Sequence, residues 1–578
     1  MKEKAKKVWG RIVVWNKKVV PLWKKVTPYL LIAVVALVSM SIFIDKEYIR
    51  GHDFYYHAAT VEGMASRSVT DIFTGKIYGV LSNELGNGEG LFYPQLSHIG
   101  AALIFKVTNR LGIGGIYFAM RLAYFLIIFF AGIFMRKLIL LITKNKKASM
   151  AAAIFYMTFP YFLIDVIVRS AMAEATFFIF MPIVLIGLYH ILHDDYRKFL
   201  IYFTIGCIGM VHSHLVMTLF FVILTIIGFL PNILKFFKKK RILYFLLSAT
   251  VTALISLPFL LPIQEQKAHA EYHVFEENFM ANINGVEMWR VPISQYFSTT
   301  GLVLNIPIIT TFIGLVAFIY ALFRFKSVKT KDSQPFLVFA FIITAVSFFC
   351  TTTLFSWRSL PDTALLIQFP WRLLTFVALG ISIIVGLIVS KVKNEQLVNA
   401  LIAGVAVSGV IGIARVNTFA QGSISEAAPA SELHHTSSII IDYLPTANPA
   451  THTNTYINDY PSHEVLTNNE DVTISNIWHN VPDMGFEVSD VSEETTLTLP
   501  RIYYLGYRIE AEYTDGSKEV LPYLMSEFGF IDVAISKDAK ITVTYPGTRL
   551  QRASYWVAGT TIVAFVALNI YLYKKEKK

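Results

Sequence analysis

From Tyr29 almost to its end, the 578-residue chain is a succession of apolar runs. Each is long enough to cross a hydrocarbon core of roughly 30 Å as a helix. Apolar residues make up 54% of the sequence, charged residues 16%, and the mean hydropathy is +0.53. A soluble chain of this length would have too little polar surface to cover itself at that composition. The expected fold class is therefore a polytopic α-helical membrane protein.

The other bulk properties exclude more than they assign. Cys207 and Cys350 both fall inside apolar runs and read as small core residues, so they say little about redox compartment. The net charge of +11 sits mostly in lysines and arginines flanking the apolar runs, where such residues set topology. Between Thr418 and Arg549 the balance reverses, with 19 Asp and Glu against 6 Lys and Arg. A nucleic-acid reader would show the opposite balance on its soluble part, so no nucleic-acid partner is expected.

Residues 1–27 mix many lysines with Trp9, Trp15, Trp23 and aliphatic residues, which reads as a basic amphipathic helix on the cytoplasmic membrane surface. No cleavage site follows Tyr29–Ile44, so that run is the first transmembrane helix and not a signal peptide. Orientation follows from the basic loops Arg136–Lys147, Tyr196–Lys198, Lys235–Arg241, Arg324–Lys331, Lys391–Lys393 and the tail Lys574–Lys578, all expected to be cytoplasmic. If both Leu96–Phe105 and Tyr117–Phe134 crossed, Lys144, Lys146 and Lys147 would lie outside. The first is short and interrupted by Lys106, Asn109 and Arg110, so it is read as a surface helix. Every basic loop then falls inside.

About 12 transmembrane helices result, near 29–44, 115–136, 148–167, 174–192, 199–212, 215–233, 242–262, 300–323, 335–354, 366–390, 397–416 and 554–573. The chain divides into the helix at 1–27, a transmembrane module at 28–416, an extracytoplasmic β-rich domain at 417–552, and a last helix with a basic cytoplasmic tail at 553–578. The module carries extracytoplasmic loops at 45–114 and 263–298. Alternating stretches at Thr495–Leu499, Tyr507–Tyr513 and Lys540–Tyr545, with a turn at Thr514-Asp515-Gly516-Ser517, point to a sandwich. No internal repeat of the transporter kind is evident.

Under this topology the unusual polar residues collect on the outer side. Gly51-His52-Asp53-Phe54-Tyr55-Tyr56-His57 follows the first helix. On a helix Asp53 and His57 would lie one turn apart on one face. A carboxylate there can act as general base toward a hydroxyl, with the imidazole orienting it or holding a metal. The plainer alternative is a solvated loop. Leu91-Phe92-Tyr93-Pro94-Gln95, Arg121, and the pair Arg169 and Glu174 come next, the last two equally readable as a snorkelling ion pair. His212-Ser213-His214 lies near membrane depth, where ionisable groups are functional candidates by default; neutral, hydrogen-bonded histidines are the bland alternative. Beyond this HxH there is no metal-ligand pattern, so no metal site or cofactor is assigned and a divalent metal is left open. In Gln368-Phe369-Pro370-Trp371-Arg372, Arg372 would reach headgroup depth, where a guanidinium can grip a phosphate, while Trp371 equally suits an aromatic belt.

These motifs, in this order and on this side, resemble those of the GT-C superfamily, the multi-pass glycosyltransferases that use polyprenol-phosphate sugars. The nearest resemblance is to bacterial membrane proteins of the YfhO-like kind, and to relatives labelled as related to pyruvoyl-tetrahydropterin synthase. Gly51-His52-Asp53, Phe92-Tyr93-Pro94, Arg169 with Glu174, His212-Ser213-His214, Gln368 to Arg372 and Tyr503-Tyr504-Leu505-Gly506-Tyr507 carry it. The resemblance implies a GT-C-like fold and a catalytic Asp in the first extracytoplasmic loop, a position that Asp53 matches. It also implies a lipid-linked donor entering from the bilayer. Many superfamily members place a second acidic residue soon after the first, where this chain has His57, which weakens the case for metal dependence.

The expectation is thus an enzyme of a bacterial plasma membrane, with cytoplasmic termini and membrane lipids around it. It would move a sugar from a polyprenyl-phosphate donor to a cell-envelope polymer or glycolipid, an acceptor that the β-rich domain would bind or orient, with inversion at the anomeric carbon. Asp53 and His57 are the catalytic candidates; His52, Tyr93, Arg121, Arg169, Glu174, His212, His214, Trp371 and Arg372 are the substrate-binding ones. The rival from another class is a transporter or flippase of a lipid-linked glycan, and a third reading is a catalytically silent envelope scaffold.

Overall fold

In hydrocarbon a chain must satisfy its backbone N–H and C=O groups internally, and a helix does so within a single segment. The computed structural model describes residues 23, 25–43, 51–276, 283–297, 308–423, 441–447 and 464–577. Among them, eight helices are long and apolar enough to cross a membrane. They are Ile116–Thr143, Met172–Leu192, Leu215–Phe236, Lys239–His269, Gln334–Thr351, Pro370–Val389, Glu395–Gln421 and Arg549–Lys577. Lys146–Met157 and Pro160–Val168 make a ninth if counted as one span bent by 48°. The proline explains the break, because Pro160 opens the second half without an N–H to continue the first.

Each of the twelve predicted segments overlaps a helix among the described residues, but length and composition support fewer as full spans. Lys25–Ser39 and Thr310–Phe323 are short among the described residues, and Tyr196–Ser213, carrying Arg197, Lys198 and His212, does not reach the hydropathy of a span. The segment predicted as a surface helix is the 15-residue helix Leu96–Arg110, packed beside the helix Phe54–Ser66. The amphipathic helix expected at 1–27 lies almost wholly outside the described residues.

The helices differ in how far they are enclosed. Within their apolar windows Met172–Leu192 is 83% and Pro370–Val389 is 94% buried, against 6% for Arg549–Lys577. Polar groups on the first two are therefore held in the middle of the bundle, while the last helix lies at its edge, packed along Lys239–His269 and exposed on its outer face. Ion pairs tie the basic loops together at one end, Lys147 with Glu395, Arg197 with Glu576 and Arg241 with Asp194, and His193 Nε2 lies 3.3 Å from Asp332 Oδ1 there.

The opposite end carries the first large loop and the β domain. Its strands are β1 (Leu466–Thr467), β2 (Thr473–Asn480), β3 (Asp483–Ser489), β4 (Thr495–Ile502), β5 (Arg508–Tyr513), β6 (Lys518–Leu521), β7 (Tyr523–Met525), β8 (Phe530–Ile535) and β9 (Ala539–Thr544). They form two antiparallel sheets, ordered β1-β4-β8-β7 and β2-β3-β9-β5-β6. Alternate residues face inward, so Leu497, Leu499, Ile531 and Val533 of one sheet share a core with Phe486, Val488, Ile541 and Val543 of the other. The β5–β6 turn uses Gly516 at φ +81°, a conformation glycine adopts without steric cost, with Asp515 accepting from the Ser517 N–H. The domain is fastened to the helical part by Gln266, whose amide donates to the Leu505 carbonyl at 2.8 Å and accepts from its N–H at 3.0 Å.

Candidate active site

The chain entering the helix Phe54–Ser66 is clamped before the helix begins. The N–H groups of His52 and Asp53 donate to the carbonyls of Val168 and Arg169 at 3.1 and 2.8 Å. Gly51 makes the approach feasible, since a Cβ there would sit 1.9 Å from Ser170 Oγ and 2.9 Å from the Ser170 nitrogen. Gly51→Ala should therefore push the two segments apart; we expect a lower unfolding temperature together with lost activity, measured by thermal unfolding in detergent beside any transfer assay. Asp53 occupies the N-cap of the helix, yet its side chain makes no cap hydrogen bond. The carboxylate is half-buried and left for other work. Burial raises its pKa above the ordinary aspartate value, against the pull of Arg169, Arg372 and His52 and with a push from Glu174.

The partner segment is irregular for a reason visible in its backbone. Ile164–Val168 forms a π-helical turn, and Ser170 follows at φ +53°, its carbonyl held by Tyr124 Oη at 2.7 Å. Such turns and strained positions gather at functional sites because they re-aim side chains. Here they bring Asp165 and Arg169 together. Arg169 Nη1 lies 2.7 Å from Asp165 Oδ1 and 2.7 Å from Glu174 Oε2, and donates to Tyr161 Oη at 3.1 Å. Tyr161 in turn donates to Glu174 Oε1 at 2.7 Å. Arg372 closes the network, with Nε 3.3 Å from Glu174 Oε2 and Nη1 donating to the Gln368 amide oxygen at 2.7 Å. Glu174 thus bridges two guanidinium groups at 1% side-chain exposure, a far more enclosed arrangement than an interfacial snorkelling pair. Neither Nη2 donates to a described protein acceptor, so both arginines keep donors for a ligand.

On the other side of Asp53 a second buried line begins. His57 follows Asp53 by one turn, but its ring is turned to a different partner: His57 Nδ1 and His98 Nε2 are 2.7 Å apart. One nitrogen donates and the other accepts, so the two rings cannot both be doubly protonated while the bond stands. Burial and the Arg169 charge push His57 down to about 3, and burial lowers His98 as well. His98 Nδ1 lies 3.8 Å from Glu89 Oε1, and Thr60 Oγ1 donates to Glu89 Oε2 at 2.5 Å. Burial pushes the Glu89 carboxyl up to about 7. His57, His98 and Glu89 thus run inward from the helix that Asp53 begins, and of the three Glu89 is the one that titrates near neutrality.

Glu89 also fixes an expected pH response. Its folded pKa of about 7 exceeds its ordinary value of 4.5. The stability this group allows is thus fully present below pH 4.5 and is lost as pH rises through 7. The difference corresponds to about 3 kcal/mol at most, at ~1.36 kcal/mol per pKa unit. Glu89→Gln should remove that loss, so its unfolding temperature should gain on the wild type between pH 5 and pH 8. Parallel pH curves for the two proteins would show that Glu89 titrates normally.

The other predicted residues divide. His52 is exposed at the clamp. The Tyr93 ring packs 5.7 Å from Tyr56 and 5.8 Å from His98, centroid to centroid, beside the inward line. Trp371 stacks on Phe369 at 4.8 Å and meets Trp289 edge-on at 5.0 Å, building the wall behind Arg372. His214 caps the following helix through the Met217 N–H at 3.4 Å and has Arg372, Glu174 and Arg169 as charged neighbours. His212 points elsewhere, toward Phe259 and Lys76. Arg121 is placed as a tie, donating to the Phe43 carbonyl at 3.5 Å. Among the described residues no group of three or more His, Cys, Asp or Glu side chains is placed to hold a metal ion. Asp165, Tyr161, Glu89 and His98 were missed. Asp165 had a usable signal, a carboxylate inside an apolar run; Glu89, between two glycines, had none.

No family model matches the chain, and no curated protein matches it. Among solved structures, the crystal structure of the Archaeoglobus fulgidus oligosaccharyltransferase in the apo form is similar at a TM-score of 0.38 and 13% identity. The similarity covers 70% of this chain and 57% of that one, so the chain spans little more than half that protein's length.

Proposed function

We propose that this protein is a membrane glycosyltransferase of the GT-C kind, moving a sugar from a polyprenyl-phosphate donor to a cell-envelope polymer or glycolipid at the outer face. The observation that carries the reading is the Asp53 carboxylate, which makes no bond to its own helix cap and lies within electrostatic reach of the Arg169 and Arg372 guanidinium groups at one end of a membrane-type bundle. A base and a pair of phosphate grips side by side suit a reaction whose leaving group is a lipid phosphate.

In this reading Asp53 takes the proton of an acceptor hydroxyl while that oxygen attacks the anomeric carbon. The bond from the anomeric carbon to the phosphate oxygen breaks, and the electron pair leaves with the lipid phosphate. Arg169 and Arg372 stabilise the charge growing on that oxygen through the amino groups they keep free. Displacement in one step inverts the anomeric centre. Glu174, Asp165 and Tyr161 hold the two guanidinium groups in place. No nucleotide takes part, in keeping with a sequence that has no glycine-rich phosphate loop.

The test is transfer from a panel of radiolabelled polyprenyl-monophosphate sugars to envelope extract by the purified protein. Transfer from one donor, lost on Asp53 substitution, supports the enzyme and names its sugar. Failure of every donor, together with movement of a lipid-linked glycan across reconstituted vesicles, replaces it with the transporter.

A further inference from the structure

Away from Asp53, a concavity of about 400 Å³ opens where the loop after the helix Val69–Thr74, the β domain and the start of the last helix meet. Its lining brings together Arg67, Lys76 and Arg552 with a single carboxylate, Asp71. Arg67 is already committed, 3.4 Å from Asp71 and 3.2 Å from Asp483. Lys76 is not. Nine-tenths buried, it forms no ion pair among the described residues, and its ammonium donates to the Pro258 carbonyl at 3.1 Å. That carbonyl is open for a local reason: its helical partner would be the N–H of residue 262, which is a proline. One acceptor leaves an ammonium with further donors to satisfy. Burial pushes Lys76 down to about 8, so a bound anion would be rewarded by restoring its charge. Arg552 is exposed at the rim and bonded at 2.8 Å to a carbonyl only, that of Gly547.

The cavity also has a place relative to lipid. Pro258 lies on the span Lys239–His269, and Tyr555 and Trp556 open the lipid-facing helix Arg549–Lys577. Tyr555 reaches the Thr74 carbonyl at 3.3 Å and lies 5.8 Å from the Lys76 ammonium, and Trp556 is 78% exposed beside it. Tyrosine and tryptophan at the end of an apolar helix mark headgroup depth. Cations without carboxylate partners at that depth suit a phosphate.

We propose that this cavity is a binding site for the phosphate group of an anionic membrane lipid, held by Lys76 and Arg552 and separate from the Asp53 cluster. It does not depend on the glycosyltransferase reading.

The experiment is native mass spectrometry of the full-length protein taken from nanodiscs of phosphatidylcholine alone or with phosphatidylglycerol. The wild type should retain phosphatidylglycerol. Arg552→Gln, at an exposed position where folding is not at risk, should lower retention by about tenfold, the usual worth of one charged hydrogen bond. Lys76→Gln with Arg552→Gln should lower it further. Equal retention by wild type and Arg552→Gln would overturn the site. Stabilisation of the wild type by inorganic phosphate in detergent, with no retention of phosphatidylglycerol, would overturn the lipid as its source. Transfer assays on Arg552→Gln keep the two readings apart, since activity should depend on Asp53 whether or not the lipid is held.

Discussion

Asp53→Asn should lower sugar transfer by about 10²–10⁴-fold, the range that a positioned general base contributes. Asparagine keeps the size and shape of the side chain and leaves the backbone clamp to Val168 and Arg169 untouched. The unfolding temperature should therefore stay close to that of the wild type, or rise slightly. A half-buried carboxyl with a raised pKa gains little stability from its charge. His52→Ala is the neighbouring control: exposed and joined to the clamp through its backbone, it should leave transfer within a few-fold of wild type. The decisive comparison is initial rate at saturating donor for the three proteins. Undiminished transfer by Asp53→Asn would remove Asp53 as the base and return the cluster to a structural role.

Glu174→Ala should cost about 3–5 kcal/mol of stability, the penalty for stripping a buried ion network of one partner. Glu174 touches Arg169, Arg372 and Tyr161 at 2.7, 3.3 and 2.7 Å while its own side chain is 1% exposed. Removing it leaves Arg372 without a carboxylate and Arg169 with Asp165 alone. Had the pair been the interfacial one the sequence also allowed, the loss would be roughly 0–1 kcal/mol. Denaturant unfolding in mixed micelles separates the two outcomes. Glu174→Gln refines the reading, because the amide keeps an acceptor for Tyr161 and loses the charge. A cost close to that of alanine would show that the charge, and not the hydrogen bond, holds the guanidinium groups.

Much of the helical architecture was legible because hydrophobic length is a local property. A run such as Ile116–Thr143 or Pro370–Val389 declares a helix whatever surrounds it, and the alternation at Thr495–Leu499 likewise declared a strand. The basic loops announced that they share one end, and ion pairs such as Lys147 with Glu395 gather them there. Span counts were less secure, since Tyr196–Ser213 is helical without the apolarity of a span.

At the site, sequence alone could pick out Asp53, Arg169, Glu174 and Arg372 as polar groups in unusual company, but not how they are joined. Arg169 and Glu174 looked like an isolated pair five residues apart; the π-helical turn at Ile164–Val168 adds Asp165, and a helix 198 residues further along adds Arg372. Spacing offered His57 to Asp53, whereas packing of the helix Leu96–Arg110 gave its ring to His98 and, beyond it, Glu89. The chain's own sequence determined which segments are apolar, which loops are charged and where glycine permits a close approach, because those properties belong to neighbours along the backbone. Only the tertiary structure decided which ionisable groups meet and how deeply they are buried. Both depend on contacts between segments far apart in the chain, which no local pattern encodes.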